Sequence, residues 1–150
     1  MKTNQPMLAI WKSLSMTDGS QIIIASAYAD EKMLSLHDIN HNIFRLDKHR
    51  NVVWQVRRDD SNHPPDWWAN LHEHARERGE DGAREPFMYF LLRYPDGRTN
   101  CLPETGDPPD HAIWTPDCTI HLQGSAYQDY ILDPETGIAR NVSNWPVRPW

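Results

Sequence analysis

The chain has 150 residues, with 15 Lys and Arg against 21 Asp and Glu, and a formal net charge of −6 at pH 7. A hydrophobic fraction of 39% and a mean hydropathy of −0.74 exclude a run of the about 20 apolar residues that a transmembrane helix needs. The 10% of aromatic residues excludes the composition of a disordered chain. This length suits one domain, and we expect a single β-rich domain over residues 1–150.

The first residues and the cysteines predict the compartment. The apolar run at residues 7–11 is too short for the core of a signal peptide, so we expect a cytoplasmic protein. Cys101 and Cys118 are the two cysteines, and in the cytoplasm both are expected as free thiols.

Four segments combine turn residues with β-prone flanks, and each predicts a hairpin. In chain order, the paired flanks are residues 12–16 with 21–28, 43–46 with 52–56, 87–94 with 98–102, and 130–132 with 138–142. In the second hairpin, the alternation predicts that Val52, Trp54 and Val56 share the buried face. The nearly continuous apolar run at residues 87–92 predicts a central strand covered on both faces.

Two of these hairpins share a local pattern. Residues 44–51 end in Asn51 and residues 130–137 end in Gly137, and both residue types tolerate a positive φ. Such hairpins are typical of propeller blades, but four blades of about 40 residues each would exceed this length. We therefore expect a mainly β fold with one helix, in which an antiparallel hairpin meander forms a sandwich or an open barrel. A propeller-like fold is the alternative.

One helix is predicted at about residues 66–78, after two prolines and before Gly79, with Asp66 as the N-cap. Neighbouring helix positions point in different directions, so one of the rings of Trp67 and Trp68 is expected at the rim. The acidic segment at about residues 103–116 contains four prolines and is expected to be an extended loop.

The eight histidines do not have the spacing of a metal site. His72 and His74 would point to nearly opposite sides of the helix, and His37 and His41 fall where a turn is predicted. There is no nucleophile motif or glycine-rich phosphate loop, and the pair Asp59-Asp60 is expected to be solvated. We expect no metal, no cofactor and no catalytic residue. An enzyme whose site is assembled from distant residues remains an alternative.

Charge is unevenly distributed along the chain. Residues 43–58 carry five basic residues against one acidic, but the net charge of −6 and the inward Trp54 argue against a nucleic-acid partner. Residues 101–139 carry seven acidic residues and no Lys or Arg. Acids interleaved with aromatic rings are typical of a surface that binds a basic protein, and equally of a solvated face.

The predicted partner-binding residues combine acids of this stretch with tryptophans. They are Asp107, Asp110, Trp114, Asp117, Asp129, Asp133, Glu135, Trp67 and Trp68.

Residues 44–54, 114–118 and 130–141, in a short, acidic chain rich in tryptophan, resemble the immunity proteins that bacteria pair with secreted toxins, including type VI secretion effectors. The resemblance implies a non-enzymatic inhibitor that binds one cognate toxin, expected to be basic, in the cytoplasm and blocks its active site. It assigns no functional residue. A saccharide or small-ligand binding module that uses exposed tryptophans is an alternative. The C-terminal residues 145–150 are expected to dock as an extended strap.

Overall fold

The protein is represented by a computed structural model, which describes residues 8–26, 28–29, 32–79, 84–125 and 127–143. The predicted strap at residues 145–150 lies outside them. In chain order the elements are β1 (Ile10–Ser15), β2 (Gln21–Ala25), β3 (Tyr28–Ala29), β4 (Lys32–Met33), α1 (Leu36–Asn40), β5 (Ile43–Leu46), β6 (Val52–Gln55), β7 (Arg57–Asp59), α2 (Trp67–Glu77), β8 (Phe87–Arg93), β9 (His111–Ile113), β10 (Thr119–Gly124), β11 (Asp129–Leu132) and β12 (Ile138–Asn141).

Ten of these strands form two five-stranded sheets that enclose one core. The first sheet has the order β6-β5-β2-β1-β9 and the second has the order β7-β12-β11-β10-β8. Neither sheet closes into a barrel, and the structure is sandwich-like, which confirms the mainly β prediction with a sandwich architecture. The propeller-like alternative does not describe these two sheets.

The core consists of the inner faces of both sheets. Ile22, Ile24 and Ile43 of the first sheet pack in one cluster with side chains of the second sheet such as Phe90 and Tyr130. A second cluster covers the outer face of the first sheet, where Ile39 of α1 packs with Ile23 and Phe44. The continuous apolar character of β2, whose residues from Ile22 to Ala25 are all buried, follows from this double coverage.

The chain changes sheets at Val56, and this change positions the segment that follows. β6 pairs with β5 in the first sheet, Val56 is buried, and β7 then pairs in parallel with β12 in the second sheet. β9 also pairs in parallel, with β1. These two parallel pairs are absent from the predicted antiparallel meander, because a pairing between segments distant in sequence leaves no turn to recognise.

Three of the four predicted hairpins form as paired strands, and the third is reduced to a short turn, in which the Tyr94 backbone N–H donates to the Arg98 carbonyl at 2.8 Å. β8 is followed by a single bridge, between Arg93 and Thr99, in place of a strand at residues 98–102. The prediction of a central strand at residues 87–92 is wrong, because β8 is the outermost strand of its sheet. Its side chains alternate between buried and half-buried positions after Met88, which reveals an edge strand that covers the core with one face.

The second hairpin differs in detail from its prediction. Trp54 packs against the core as expected, but Val52 is exposed, because the register shifts between Arg45 and Leu46 and reorients the start of β6. The positive φ of this turn falls on Arg50 and not on Asn51. In the matching hairpin, Gly137 has the predicted positive φ of 78°.

The helices also correct two expectations. The turn predicted around His37 and His41 contains α1, whose N-cap Ser35 accepts a hydrogen bond from the Asp38 backbone N–H. α2 lies within the predicted range of 66–78, but Asp66 forms no side-chain cap hydrogen bond.

The segment predicted as an extended loop at 103–116 includes the short strand β9.

Candidate functional site

A cleft of about 1000 Å³ opens between α2 and one end of the sandwich. It is called the α2 cleft here. Its walls include Arg57, Arg58, Asp60 and His63 from β7 and the segment after it, Trp67, Trp68 and His72 from α2, and His37 of α1 with the C-cap residue His41.

The local sequence explains how α2 presents its two faces. Trp67, Leu71 and Ala75 have a spacing of four and form the buried stripe of the helix. Trp68 and His72, also four residues apart, follow one position later and are half-buried. The expectation that one of the two tryptophans sits at the rim is confirmed, because Trp67 is 4% exposed whereas Trp68 is intermediate.

Asp60 is held in the cleft by three hydrogen bonds from neutral donors. Its Oδ1 accepts from the Tyr130 hydroxyl and from Asn141 Nδ2, both at 2.8 Å. Its Oδ2 accepts from the indole Nε1 of Trp68. The carboxylate therefore has a fixed position and joins α2 to β11 and β12. Asp60 was expected to be solvated, and this expectation is wrong.

Tyr130 is itself perturbed by this position. Burial is the largest cause that raises the pKa of its hydroxyl, and the Asp60 carboxylate raises it further, against the lowering effect of Arg58. The phenol is therefore a permanent donor to Asp60 across the physiological pH range.

Asn141 and Gln128 are buried polar residues that orient His63. Asn141 Nδ2 lies 3.1 Å from Gln128 Oε1 and 3.0 Å from His63 Nε2, and His63 Nε2 lies 3.1 Å from the same Gln128 oxygen. Because the two amide hydrogens of Asn141 are used by Asp60 and Gln128, the consistent assignment has His63 Nε2–H donating to Gln128. In the neutral imidazole, Nδ1 is then the acceptor.

Arg58 provides a fixed positive charge in the wall of the cleft. Its guanidinium donates to the backbone carbonyl of Asn40 at 2.9 and 3.2 Å and to that of Glu85. Its central carbon lies 4.1 Å from the centre of the Phe87 ring and 5.1 Å from that of Trp68. These carbonyls and ring faces compensate the half-buried charge, so Arg58 is a structural cation that links α1, α2 and β8.

A chain of rings runs along α2. His63 stacks on Trp67 at 4.4 Å between centroids, Trp67 meets Trp68 edge to face at 5.0 Å, and Trp68 lies 6.0 Å from His72. The indole Nε1 of Trp67 is buried and has no hydrogen-bond acceptor among the described residues. A buried donor of this kind is rare in folded proteins.

The opposite wall carries a pair of stacked imidazoles. His37 and His41 lie 4.2 Å apart, and His41 Nδ1 is 2.7 Å from the His37 carbonyl. Burial, followed by the positive surroundings of His37 and Arg58, lowers the pKa of His41 in spite of that hydrogen bond. His41 is therefore neutral at pH 7.

The α2 cleft thus combines a fixed acceptor, several donors and aromatic faces. Among the described residues, no group of three or more His, Cys, Asp or Glu is arranged to hold a metal ion. No helix in the described part of the chain is long and apolar enough to cross a membrane.

The predicted acids do not lie together. In the first sheet, Gln21 lies opposite both Ser15 and Leu46, so the turns after β1 and β5 are at the same end. In the second sheet, Ile120 lies opposite Leu132, so the segment before β10 and the turn after β11 are also at one end. The Pro134 carbonyl accepts hydrogen bonds from Arg45 and Trp54, so these ends together form one end of the sandwich, the turn end.

This turn end carries one group of the predicted residues: Trp114, Asp117, Asp133 and Glu135. The α2 cleft is at the opposite end, because β12 runs from the turn end to Asn141.

The turn-end residues differ in exposure. Trp114 packs against the core, so its ring is a structural element, whereas Asp117, Asp133 and Glu135 are exposed. Asp133 accepts a hydrogen bond from the Glu135 backbone N–H at 2.9 Å. The remaining acids, Asp107, Asp110 and Asp129, are near the start of β8, at a different surface.

The sequence did not predict that one site contains Arg58, Asp60, His63, His37 and His41. Their partners Tyr130 and Asn141 are 70 and 81 residues from Asp60 along the chain. The available signals were the high local density of histidine and tryptophan between residues 63 and 74 and the buried character of the segment around Tyr130.

The fold and this cleft together define a two-sheet β-sandwich with a cleft at one end, walled by residues of α1, β7 and α2. No family model, no curated protein and no solved structure matches the chain.

Proposed function

We propose that the protein is a binding module for a small polar ring-shaped ligand of the saccharide class, and that the α2 cleft is its binding site. One observation carries the proposal: a carboxylate with a fixed position, Asp60, lies next to the half-buried ring of Trp68 in a cleft of about 1000 Å³. A cleft of this size is of the order that proteins use for small ligands.

The chemistry of the walls fits a ligand that has both an apolar face and hydroxyl groups. The ring of Trp68 offers a surface for stacking, and the unfilled lone pair of the Asp60 carboxylate accepts a hydroxyl. Arg57 is exposed at the cleft and His72 is half-buried there, and both carry donors. An aromatic surface beside one acceptor and two donors supports a saccharide better than an apolar ligand.

The experiment is calorimetric titration of a broad panel of mono- and oligosaccharides into the protein. Arg57→Ala and His72→Ala each remove a donor from the cleft, and each is expected to weaken binding about tenfold, because one hydrogen bond to a ligand contributes roughly 1–1.5 kcal/mol. Arg98→Ala is the matched control, since Arg98 is a mostly exposed arginine that forms an ion pair with Asp96 in another turn. It is expected to leave affinity unchanged.

The proposal is wrong if no member of the panel binds, or if Arg98→Ala weakens binding as much as Arg57→Ala does. Unfolding curves of all variants separate a loss of the site from a loss of the fold.

A second candidate function is non-enzymatic inhibition of a basic toxin in the cytoplasm, as the resemblance to immunity proteins implies. The exposed carboxylates of Asp117 and Glu135 favour it, because exposed acids accelerate the encounter with a basic partner. Its test is a pull-down from a lysate of the native source, with a salt gradient and mass spectrometry. One basic protein recovered in near-equal amount and inhibited by this chain would support it, and recovery of chaperones alone would contradict it.

A further inference from the structure

A second groove lies on the side of the sandwich, between β1 and β8. It has a volume of about 520 Å³ and is called the Trp11 groove here. Its apolar walls are formed by Trp11, Met88, Tyr89, Leu102 and Pro109. Asp107 and Asp110 stand beside them, on the proline-rich segment that follows Leu102.

The apolar part of the groove is open to solvent. Trp11 is 42% exposed and Leu102 is 41% exposed, and both are large apolar side chains. Two such side chains in one concave surface, bordered by charges, are typical of a contact site for another protein.

The charges at the groove are predominantly negative. The Asp107 carboxylate forms no hydrogen bond or ion pair with the described residues, and Asp110, 66% exposed, is 3.7 Å from the Lys12 ammonium. Asp129 is a third acid near this surface. Burial is the largest cause that raises the pKa of the Tyr89 hydroxyl, and the charges of Asp129 and Asp107 raise it further. Lys12 is the only cation among the described residues that line the groove, and its ammonium also lies over the Trp11 ring at 4.8 Å.

The strand beside the groove has backbone groups at its outer edge. β8 is the outermost strand of its sheet, and the N–H and C=O of Leu92 are bonded outward to Asn100. The antiparallel alternation points the N–H and C=O of Phe90 to the same edge. An extended segment that enters the groove therefore meets a strand edge as well as side chains.

We propose that the Trp11 groove binds an extended, basic segment of a protein partner. An apolar or proline side chain of the segment packs against Trp11 and Leu102, and an Arg or Lys of the segment pairs with Asp107 or Asp110. Charge complementarity selects this occupant, because two acids line an apolar groove whose single described lysine already contacts Asp110 and the Trp11 ring. The inference goes beyond the saccharide proposal and uses no residue of the α2 cleft.

The test is selection from a phage-displayed library of random peptides on the immobilised protein, followed by fluorescence anisotropy with the best peptide. We expect the selected peptides to carry Arg or Lys next to proline or aliphatic residues. Asp107→Asn with Asp110→Asn is expected to weaken binding about tenfold, since each exposed charge pair contributes up to about 1 kcal/mol. Affinity is expected to fall as salt increases.

Two controls are matched to these variants. The double variant Asp117→Asn with Glu135→Gln also removes two negative charges, but at the turn end. Leu102→Ala shortens an exposed apolar side chain in the groove, and its control Ile113→Ala shortens one outside the groove. Both controls are expected to bind like the unaltered protein, and Leu102→Ala is expected to bind at least threefold more weakly. Failure to enrich any basic peptide, or equal losses in the two charge variants, would overturn the proposal. Saccharide binding is measured separately, so its failure does not affect this result.

Discussion

Trp54 joins the two sheets at the turn end through one contact and one hydrogen bond. Its indole Nε1 donates to the Pro134 carbonyl at 2.9 Å, and Arg45 donates to the same carbonyl at 2.7 Å. Its ring lies directly over Gly137, where an added Cβ would be 2.6 Å from Trp54 Cδ2. The glycine is therefore required both for its positive φ and for its lack of a side chain.

Replacement of Gly137 by alanine should be strongly destabilising. The backbone strain and the clash with Trp54 together predict a loss of roughly 2–5 kcal/mol in the free energy of unfolding, measured with urea. Gly97→Ala is the control, because Gly97 has a φ of 88° but nothing within 4 Å of an added Cβ. It should lose only about 1–2 kcal/mol, from backbone strain alone. Equal losses in the two variants would show that the Trp54 contact is unimportant.

The hydrogen bond from Tyr130 to Asp60 predicts a second loss of stability on substitution. Tyr130→Phe removes a 2.8 Å hydrogen bond to a carboxylate and should reduce stability by roughly 1.5–3 kcal/mol. Tyr94→Phe is the matched control, since the half-buried Tyr94 packs against the same core and its hydroxyl has no hydrogen-bond partner among the described residues. Chemical denaturation of both variants measures the difference, and a loss in Tyr130→Phe no larger than that in Tyr94→Phe would contradict this role.

Among the secondary-structure elements, the sequence predicted those that have local causes. Three hairpins and α2 were predicted because turn residues, period-two alternation and helix spacing are encoded within a few neighbouring residues. The edge position of β8 and the parallel pairing of β7 with β12 were not predicted, because they depend on which distant strand lies alongside. A continuous apolar run has the same appearance in both positions.

The candidate site was predicted only in part, for the same reason. Trp67 and Trp68 were selected from their positions on the helix, and both lie in the α2 cleft. Asp60 was not selected, because its partners Tyr130 and Asn141 belong to other strands. A carboxylate in a polar segment has no local feature that distinguishes a solvated side chain from a bonded one.

Two half-buried histidines in different parts of the fold predict how stability depends on pH. Burial is the main cause that lowers the pKa of His41 after α1 and of His121 in β10. Each pKa is thus lower in the folded state than the value near 6.5 in the unfolded chain. Below pH 6.5 the unfolded state then binds more protons than the folded state does. The stability that the two neutral imidazoles contribute is therefore fully present above that pH and is lost as the pH falls towards the folded pKa.

The melting temperature should therefore decrease when the pH is lowered from 7.5 to 5.5. His121→Gln should make that decrease smaller, because it removes one of the two imidazoles that resist protonation in the fold. His49→Gln is the control, since it changes an exposed turn histidine and should leave the decrease as in the unaltered protein. A pH profile of His121→Gln identical to that of the unaltered protein would contradict the assignment.

For the whole molecule, the fold separates three chemically different surfaces. The α2 cleft lies at one end, the turn end carries the exposed acids Asp117, Asp133 and Glu135, and the Trp11 groove lies on the side. The acids of residues 101–139 are continuous in sequence but are divided between the turn end and the Trp11 groove. The division arises because β10 and β11 run between the two ends of the sandwich. Variants that remove equal charge from each surface therefore distinguish a specific site from a general effect of net charge.

Nuclear magnetic resonance of the tryptophan indole N–H groups shows whether a saccharide-class ligand binds in the α2 cleft. The chain has seven tryptophans, and Trp→Phe variants assign their signals. During titration with the saccharide panel, the signals of Trp67 and Trp68 should shift in a saturable way, while those of Trp11 and Trp114, outside the cleft, should stay in place. Saturable shifts at Trp11 or Trp114 without shifts at Trp67 and Trp68, or no shift with any saccharide, would show that the α2 cleft is not a saccharide site.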